Sequence, residues 1–428
     1  MALRVDLWQK SRVLVTQITR LQWAFCDSYH GPACQAALFR LHKETKMAGM
    51  PTLSSVPARS GAGSGWNSAQ KATRSNKATH APGFQLRPLQ VTWEMTQAVD
   101  WKASHHRAPA RAPRQRKEFS TAEAFHLIEE VADMHVPLLV LTGGDPLQRP
   151  DLFPIVDFAA RHSVRTSLTL LPTPLLDAEV IAELKTRGLM RLGFWLHGST
   201  AALDDSRWGV NGCHQRTLEA IGSCHDVDLP VQINTIMSRR NLHDVEPMIE
   251  LLTRLDVVLW NVFFFVPKAR EQAGEMLSAE EHEQVFAKLY AASKRVRFQI
   301  KTTEGQHYQR YLLQQRAKES RGRMSEVESI TCAPKGVNDG KGFVFIDPTG
   351  EVYPSRFLPL SAGNITKAGL SQIFCESPLF VSLRDSSKLK GKCGRCPARN
   401  VCGGSRARAY AMTGDLFAED PCCAYEPQ

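Results

Sequence analysis

The chain has 428 residues, 43% of them hydrophobic and 22% charged, so it is long enough for two or three domains with a large apolar core. Its net charge of +10 comes from the first 118 residues, which hold 18 Lys and Arg against 6 Asp and Glu. The remainder is close to neutral, which argues against a nucleic-acid-binding protein. No uncharged apolar run reaches the roughly 18 residues of a membrane-spanning helix, so we expect no membrane partner.

Residues 1–84 are predicted to form a basic, disordered extension. From Ser54 to Pro82 the sequence is rich in Ser, Gly, Ala and Lys, a composition that buries too little apolar surface to offset the entropy of ordering. Arg12 and Arg20 interrupt the one apolar stretch near the start, so no signal peptide is expected. Eleven cysteines without a secretory signal indicate a reducing compartment, and we expect a cytoplasmic protein that uses cysteine for metal or cluster ligation.

From residue 89 onward, strand and helix patterns alternate. The predicted strands are Leu89–Met95, the apolar run that begins at Pro137, Thr166–Leu171, Leu192–Leu196, Val231–Ile236 and Val257–Val266. The predicted helices are Ser120–Met134, Pro150–His162, Asp177–Arg187, Gln215–His225, Asp244–Leu255 and Ser278–Arg295. Six successive β/α units predict an α/β fold, a partial (β/α)6 parallel barrel over residues 85–305.

The stretch Pro137–Leu147 is the centre of this pattern. Its apolar run predicts a strand buried on both faces, which ends at Thr142 and the dipeptide Gly143-Gly144. Ligands bind at the carboxyl ends of parallel strands, and glycines allow the backbone to approach a ligand closely. A tight turn without a ligand is an equally good interpretation of the dipeptide alone.

The character of the chain changes after Lys301. Residues 306–330 are predicted to form a basic helical bridge, and residues 331–428 a separate small module that contains a β-hairpin. The module carries Cys393-x2-Cys396-x5-Cys402, followed by Cys422-Cys423. Thiolates at this spacing can hold one metal centre, and the spacing suits zinc and a [4Fe–4S] cluster equally.

From about residue 89 to the carboxyl end, the chain resembles the radical SAM superfamily with a C-terminal SPASM-type module. TGGDPLQRPDL at Thr142–Leu152 is similar to the family's GGEP element, and Leu196–Ser199 and Gln232–Thr235 resemble further strand ends near S-adenosylmethionine (SAM). The tail from Cys393 to Pro427 is similar to the family's auxiliary-cluster segment. The resemblance implies a radical-SAM enzyme lineage whose members modify peptides, protein side chains or haem-type precursors.

The resemblance also implies particular binding residues. The residues expected to bind SAM are Thr142, Gly143, Gly144, Asp145, Pro146, His197, Ser199, Arg207 and Asn234. The residues expected to hold one auxiliary [4Fe–4S] cluster are Cys393, Cys396, Cys402 and Cys423, with Cys332 as an additional candidate. Cys422 is a competing candidate for the last position.

The chain departs from the family at the loop after the first strand. The family carries Cys-x3-Cys-x2-Cys there, three thiolates that leave one iron of a [4Fe–4S] cluster open for SAM. Val99, Ala103 and His106 occupy these positions, and the first two have no donor atom. We therefore expect SAM cleavage to be impaired, because one imidazole is a poor replacement for three soft thiolates.

Two further departures affect the ligand pattern. The family's HDxxRG segment corresponds to residues 204–209, where Arg207 has moved by one place and Trp208 occupies the arginine position. A second auxiliary cluster is incomplete, since Ser355 and Arg406 stand where further cysteines often occur. Three other cysteines are interpreted as packing residues: Cys213, Cys224 and Cys375.

Three functions remain open on the sequence alone. The first is a radical SAM/SPASM iron–sulfur protein with impaired SAM cleavage, which binds a peptide or tetrapyrrole-like partner or relays electrons. The second is an active maturase that modifies a peptide or haem-type precursor and needs an electron donor. The third is a zinc-stabilised interaction protein.

Overall fold

The computed structural model of the protein describes residues 87–99, 117–319 and 336–427, which belong to one compact unit. Its strands are β1 Gln90–Glu94, β2 Leu138–Thr142, β3 Thr166–Leu170, β4 Arg191–Trp195, β5 Val231–Met237, β6 Leu259–Phe264, β7 Gln299–Thr303, β8 Phe343–Ile346, β9 Glu351–Tyr353 and β10 Gly363–Asn364. Its helices are α1 Thr121–Asp133, α2 Leu152–Arg161, α3 Ala178–Thr186, α4 Ala201–Trp208, α5 Cys213–Asp226, α6 Val245–Arg254, α7 Ala279–Ser293, α8 His307–Glu319, α9 Leu370–Glu376, α10 Pro378–Arg384, α11 Gly391–Arg395 and α12 Arg406–Thr413.

The described strands form one sheet in the order β10-β9-β8-β1-β2-β3-β4-β5-β6-β7. Strands β1 to β7 are parallel to their neighbours, and helices follow each of the first six. Strands β7 and β10 stand at opposite ends of this order, so hydrogen bonding between described strands leaves the barrel open. The predicted α/β class and partial (β/α)6 barrel are confirmed.

Local sequence explains where the helices begin. Ser120 and Glu123 form a capping box at the start of α1, and Ser278 and Glu281 form another at α7, as their spacing predicts. Each arrangement satisfies backbone N–H groups that the first helical turn leaves without intrahelical partners. These caps fix the ends of two helices that cover the barrel.

The main core lies between the strands and the helices that cover them. Trp93, Phe194 and Trp260 from β1, β4 and β6 are fully buried there, together with Phe286 from α7. Burial of such side chains contributes roughly 1.5–3 kcal/mol each to folding. The side chains that face the helices thus stabilise the fold. The opposite face of the sheet, inside the barrel, can carry polar groups and contact ligands.

Two elements of the barrel differ from the sequence prediction. Strand β7 was not expected, because QIKTT at Gln299–Thr303 has no continuous apolar run; its side chains are only partly buried. Helix α4 was not expected either, and it contains the segment that resembles HDxxRG. The predicted bridge contains α8, whose side chains His307, Tyr308 and Arg310 are buried.

The carboxyl-terminal part continues the barrel's sheet. Strand β8 pairs with β1 in parallel, and β9 and β10 extend the sheet by antiparallel pairing. The predicted domain limits at residues 84, 305 and 330 remain predictions, and residues 1–86 lie outside the described part. Across residues 87–99, 117–319 and 336–427, the helices lack the length and apolar character needed to cross a lipid bilayer.

Candidate functional site

Four of the predicted cluster ligands line a single small cavity in the carboxyl-terminal part. They are Cys393, Cys396, Cys402 and Cys423. Three cationic side chains line the same cavity: Arg310, Lys392 and Arg399. The structure therefore brings together thiols from a short helix, the turns after it and the chain end, and surrounds them with positive charge.

Backbone geometry around this cavity suits sulfur ligands. Gly403 and Gly404 have φ values of +68° and +66°, a conformation that favours glycine. A Cβ on Gly404 would lie 3.4 Å from the sulfur of Cys393. The N–H of Gly404 donates to Cys402 Sγ at 3.3 Å, and that of Asp420 to Cys393 Sγ at 3.4 Å. Such bonds stabilise sulfur as a thiolate and tune a bound cluster.

The cations at the cavity are held in place by other groups. Lys392 Nζ donates to the carbonyl of Cys423 at 2.6 Å. Arg310 reaches the cavity from α8, where Glu283 and Gln314 bind its guanidinium. Burial, and then the neighbouring Cys423, raise the pKa of Cys402 well above its ordinary value. Metal binding would displace these protons, and the cations would offset the negative charge of a thiolate-bound cluster.

Cys422 does not line this cavity. Its thiol is 3% exposed and donates to the carbonyl of Leu277 at 3.4 Å. Among the described residues, no three His, Cys, Asp or Glu side chains converge closely enough for a single metal ion. Cys332 lies outside the described residues.

A buried polar network attaches the cysteine segment to the end of β7. Arg408 on α12 forms a bidentate ion pair with Asp420, with N–O distances of 2.9 and 2.7 Å. Arg408 also donates to the backbone carbonyl of Glu304 at 2.9 Å. The hydroxyl of Ser405 binds the Glu304 carboxyl group at 2.5 Å. The cysteine cavity is therefore fixed relative to the barrel by charged side chains that are nearly inaccessible to solvent.

At the barrel mouth, Gly143 and Gly144 permit a close backbone contact. The N–H of Gly144 donates to the carbonyl of Thr96 at 2.8 Å, and that of Asp145 to Ala98 at 2.7 Å. A Cβ on Gly144 would lie 2.2 Å from the Ala98 oxygen. The amides of residues 144 and 145 thus bind the loop after β1, whereas the sequence pattern had suggested that this backbone would be bare.

The rest of the TGGDPLQRPDL segment is largely structural. The carboxyl group of Asp145 accepts hydrogen bonds from the Leu147 N–H and from Thr173. Arg149 binds Asp151 at 2.9 and 2.7 Å and donates to the Met95 carbonyl at 2.8 Å. These bonds join the ends of β1 and β2 to the start of α2. Pro146 begins a short 3-10 helix.

The other predicted SAM-binding residues follow β4 or lie on β5. His197 Nδ1 accepts a hydrogen bond from the N–H of Ile236 at 3.1 Å. The hydroxyl of Ser199 binds Asp244 at 2.5 Å. Asn234 accepts a bond from Gln232 at 2.6 Å. These side chains lie at neighbouring strand ends, with their orientation fixed by protein contacts.

Arg207 and Trp208 lie on α4, whereas a loop was expected. One helical step rotates a side chain by about 100°, so a one-residue shift changes direction strongly. Arg207 forms an ion pair with Glu275, with an N–O distance of 3.3 Å. The ring centroids of Trp208 and His197 are 4.9 Å apart. Burial raises the pKa of Asp204, which accepts the His197 N–H at 2.6 Å, to about 7.

Val99 lies in an apolar cluster at the barrel mouth. It is 1% exposed and packs with Leu171, Trp208 and Cys213. Its side chain offers only carbon, and its surroundings here are apolar, so this position does not fit an iron ligand. Ala103 and His106 lie outside the described residues. Cys213 and Cys224 are fully buried, as the packing interpretation predicted, and Cys375 is partly buried.

An aromatic row follows the mouth of the barrel. Ring centroids of Trp195 and Phe263 are 5.0 Å apart, and those of Phe263 and Phe357 are 6.1 Å apart. Strand β5 lies between β4 and β6, so Trp195 and Phe263 meet across it. All three side chains are partly exposed. We define Trp195, Phe263 and Phe357 as the aromatic row.

The sequence interpretation missed most of these supporting residues. One available signal was the presence of Arg406 and Arg408 in a small cysteine-rich module. A charged side chain is rarely buried without a counter-charge, so these arginines could have indicated buried ion pairs. Arg310 and the aromatic row come from distant parts of the chain. Nothing in their local sequence indicated that they would meet a cavity or one another.

Comparison with known proteins gives consistent matches. The radical SAM superfamily model matches residues 100–252, and the SPASM iron–sulfur cluster-binding domain model matches residues 338–397. The "AdoMet-dependent heme synthase" of Methanosarcina barkeri (strain Fusaro / DSM 804) is 36% identical over 340 residues, 79% of this chain and 97% of that protein. The "PqqA peptide cyclase" of Rhodopseudomonas palustris (strain ATCC BAA-98 / CGA009) is 27% identical over 351 residues, 79% of this chain and 88% of that protein.

A solved structure shows the same fold. Streptococcus suis SuiB bound to S-adenosylmethionine matches with a TM-score of 0.59 and 13% identity, covering 79% of this chain and 77% of SuiB. The family's cofactors are [4Fe–4S] clusters and SAM. The barrel, the cysteine cavity and these matches together show that the chain belongs to the radical SAM superfamily and carries a C-terminal SPASM iron–sulfur cluster-binding domain.

Proposed function

We propose that this protein takes part in the maturation of a haem-type tetrapyrrole, as a radical SAM/SPASM maturase. The observation that carries the proposal is the aromatic row at the barrel mouth. The relative of 36% identity named as a haem synthase supports the same substrate class. The lower identity of 27% to the peptide cyclase makes a peptide the weaker choice.

The aromatic row suits a flat, apolar ligand. Its three side chains come from two strands and the carboxyl-terminal part, and each keeps part of its surface exposed. Large core aromatics such as Trp93 and Trp260 are fully buried by comparison. The ring planes are tilted by 47° and 52° to one another, so one ring can stack on a macrocycle while its neighbours contact the edge, which buries apolar area on both partners.

A cation next to the row suits the acidic side groups of a tetrapyrrole. Arg356 immediately precedes Phe357, and its side chain is 24% exposed. Its guanidinium lies 3.7 Å from the carboxyl group of Glu94 at the end of β1. A guanidinium can bind a carboxylate through two parallel hydrogen bonds. The row and Arg356 together offer a stacking surface beside an anion-binding group.

A [4Fe–4S] cluster and SAM in the barrel would supply radical chemistry toward the substrate when bound. In this chain, the tail cysteines would hold the auxiliary cluster, the N–H groups of Asp420 and Gly404 would donate to its sulfur ligands, and Arg310 would offset its charge. The aromatic row would orient the substrate at the barrel mouth. These residues would bind the auxiliary cluster and position the substrate. Val99 supplies no ligand for a cluster in the barrel.

The packing of Val99 favours a second candidate function. A hydrocarbon side chain buried with Leu171, Trp208 and Cys213 occupies the first cluster position. A protein altered in this way would bind the tetrapyrrole and relay electrons through the tail cluster, with SAM cleavage impaired. The two candidates share the substrate and the auxiliary cluster, and differ only in the release of 5′-deoxyadenosine.

The test uses the full chain, reconstituted anaerobically with iron and sulfide. Iron coproporphyrin III, an iron tetrapyrrole with propionate side chains, serves as the probe, and its Soret band reports binding. Wild-type protein should shift the band at micromolar concentrations. Phe263→Ala should weaken binding roughly tenfold through the lost ring contact. Phe125→Ala removes a ring that stacks on Phe158, away from the row, and should leave binding unchanged.

The same sample then separates the two candidates. Release of 5′-deoxyadenosine from SAM in the presence of the tetrapyrrole supports an active maturase. Binding of the tetrapyrrole without this release supports the binding or electron-relay function. Failure of the wild-type protein to bind the tetrapyrrole would overturn both.

A further inference from the structure

Glu304 and Asp339 form a carboxyl pair that is almost completely buried. Glu304 follows β7, Asp339 precedes β8, and the two residues are 1% and 2% exposed. Residues 405–407 contact both of them, because the Ser405 hydroxyl binds Glu304 and the Ala407 N–H donates to Asp339. Burial, followed by the charge of Asp339, raises the pKa of Glu304 well above its ordinary value, and burial also raises the pKa of Asp339. These two buried carboxyl groups therefore bind protons more readily than exposed ones.

The pair is positioned by hydrogen bonds from three directions. Ser405 binds one Glu304 oxygen at 2.5 Å, and Ser355 donates to the other at 3.4 Å. The backbone N–H of Ala407 donates to Asp339 at 3.0 Å. Glu304 has a φ of +56°, a strained conformation for a residue with a Cβ. The surrounding bonds hold this residue in a conformation it would not adopt alone.

A continuous set of contacts links the pair to the cysteine cavity. The N–H of Ser405 donates to Asp420 at 2.8 Å, and the N–H of Asp420 donates to Cys393 Sγ at 3.4 Å. Arg406 Nη2 lies 4.0 Å from Cys393 Sγ and also acts electrostatically on Asp339. Ser355 and Arg406 stand at two positions where the family often has further cysteines. A carboxyl pair thus lies beside the place of the incomplete second cluster.

Two arginines of α12 act on the pair, Arg408 on Glu304 and Arg406 on Asp339. Arg408 is ion-paired with Asp420 near the chain end, and His282 of α7 and His307 of α8 interact electrostatically with Arg408 and Asp420. Burial lowers the pKa of His282 to about 4 and that of His307 well below its ordinary value, so both are neutral near pH 7. Two arginines then face Asp420 and the two carboxyl groups of the pair. An added electron at the cluster would make the electrostatic potential at the pair more negative, which favours the uptake of a proton.

We propose that the Glu304–Asp339 pair is a proton-binding site coupled to the tail cluster. When a one-electron donor reduces the cluster, the pair takes up one proton from solvent, and one carboxylate of the pair becomes neutral. Ser355, which is partly exposed, connects the pair to the surface. One O–H bond forms, the electron stays on the cluster, and no other bond changes.

The test is a redox titration of the cluster-loaded full chain, followed by electron paramagnetic resonance between about pH 6 and pH 9. Coupling of one proton to one electron should change the reduction equilibrium up to tenfold per pH unit, about 59 mV. Glu304→Gln and Asp339→Asn should each flatten this dependence. Dithionite is the reductant, and neither SAM nor a tetrapyrrole is needed, so the outcome is independent of the proposed function.

Asp204→Asn is the matched control. Asp204 is another buried acid, but it lies at the barrel mouth, so its replacement should keep the wild-type pH dependence. A wild-type potential that does not change with pH would overturn the proposal without any variant. It would also be overturned if both pair variants kept the wild-type slope. Proton uptake on reduction, followed with a pH indicator dye in wild-type protein, gives an answer even if the variants load no iron.

Discussion

The cysteine cavity and the barrel mouth are the two places where this family binds iron–sulfur clusters, and they differ sharply in this chain. At the cavity, four thiols are accompanied by cations, N–H donors to sulfur and a buried ion pair. At the mouth, the first cluster position is Val99, packed among apolar side chains. A cluster site requires buried polar groups around its ligands, and their burial costs desolvation free energy. Few substitutions are enough to replace such a site with apolar packing.

The largest expected effect concerns the cysteine cavity, where the ligands are present. Cys402→Ala should lower bound iron by about four atoms per chain relative to the wild type, because it removes a thiolate ligand from the cavity. Iron is counted after anaerobic reconstitution. Cys422→Ala is the control, and it should keep its iron because that thiol bonds to the Leu277 carbonyl. Equal iron loss in both variants would contradict the assignment of the four ligands.

The second prediction restores the missing cluster ligands at the barrel mouth. Restoring cysteine together at Val99, Ala103 and His106 should raise reconstituted iron by about four atoms per chain, because it returns three thiolates to the loop. The smaller cysteine at residue 99 fits the space that valine fills. Iron counting and the optical spectrum check this. No added iron would show that the mouth has changed beyond its three ligand positions.

The third prediction concerns the contribution of the buried Arg408–Asp420 ion pair to the free energy of unfolding. Arg408→Ala should lower the free energy of unfolding by about 3–5 kcal/mol, because Asp420 would remain buried without its counter-charge. Lys390→Ala, which breaks an exposed pair with Asp415, should cost less than about 1 kcal/mol. Chemical denaturation of both variants gives the comparison. Similar losses would mean that the buried pair has no special role.

The smallest expected effect concerns pH at the mouth. Burial raises the pKa of Asp204 from an ordinary 3.8 to about 7. The folded protein then binds this proton more tightly than the unfolded chain, so stability should fall as the pH rises from about 4 to about 7. The contribution is at most about 4 kcal/mol. Asp204→Asn should reduce this fall in denaturation experiments at pH 5 and pH 8; an unchanged slope would contradict it.

Much of the fold could be predicted because it follows from short-range patterns. Alternating apolar runs and capping boxes such as Ser120 with Glu123 identified six β/α units. Strand β7 was missed because it lies at the end of the sheet with its side chains exposed or only partly buried, so QIKTT lacks the apolar signal of a buried strand. Helix α4 was missed because its sequence, AALDDSRW, has no marked apolar face. Its presence changes the directions of Arg207 and Trp208.

The sequence by itself determined the family, the barrel and the cysteine set, because spacing within a few residues carries that information. Only the tertiary structure decided that Cys423 lines the cavity while Cys422 turns to Leu277. It also decided that Glu304 and Asp339 are both held by residues 405–407, and that Val99 packs against Trp208. These contacts join residues that are distant in the chain, and their energies depend on burial, which local composition does not specify.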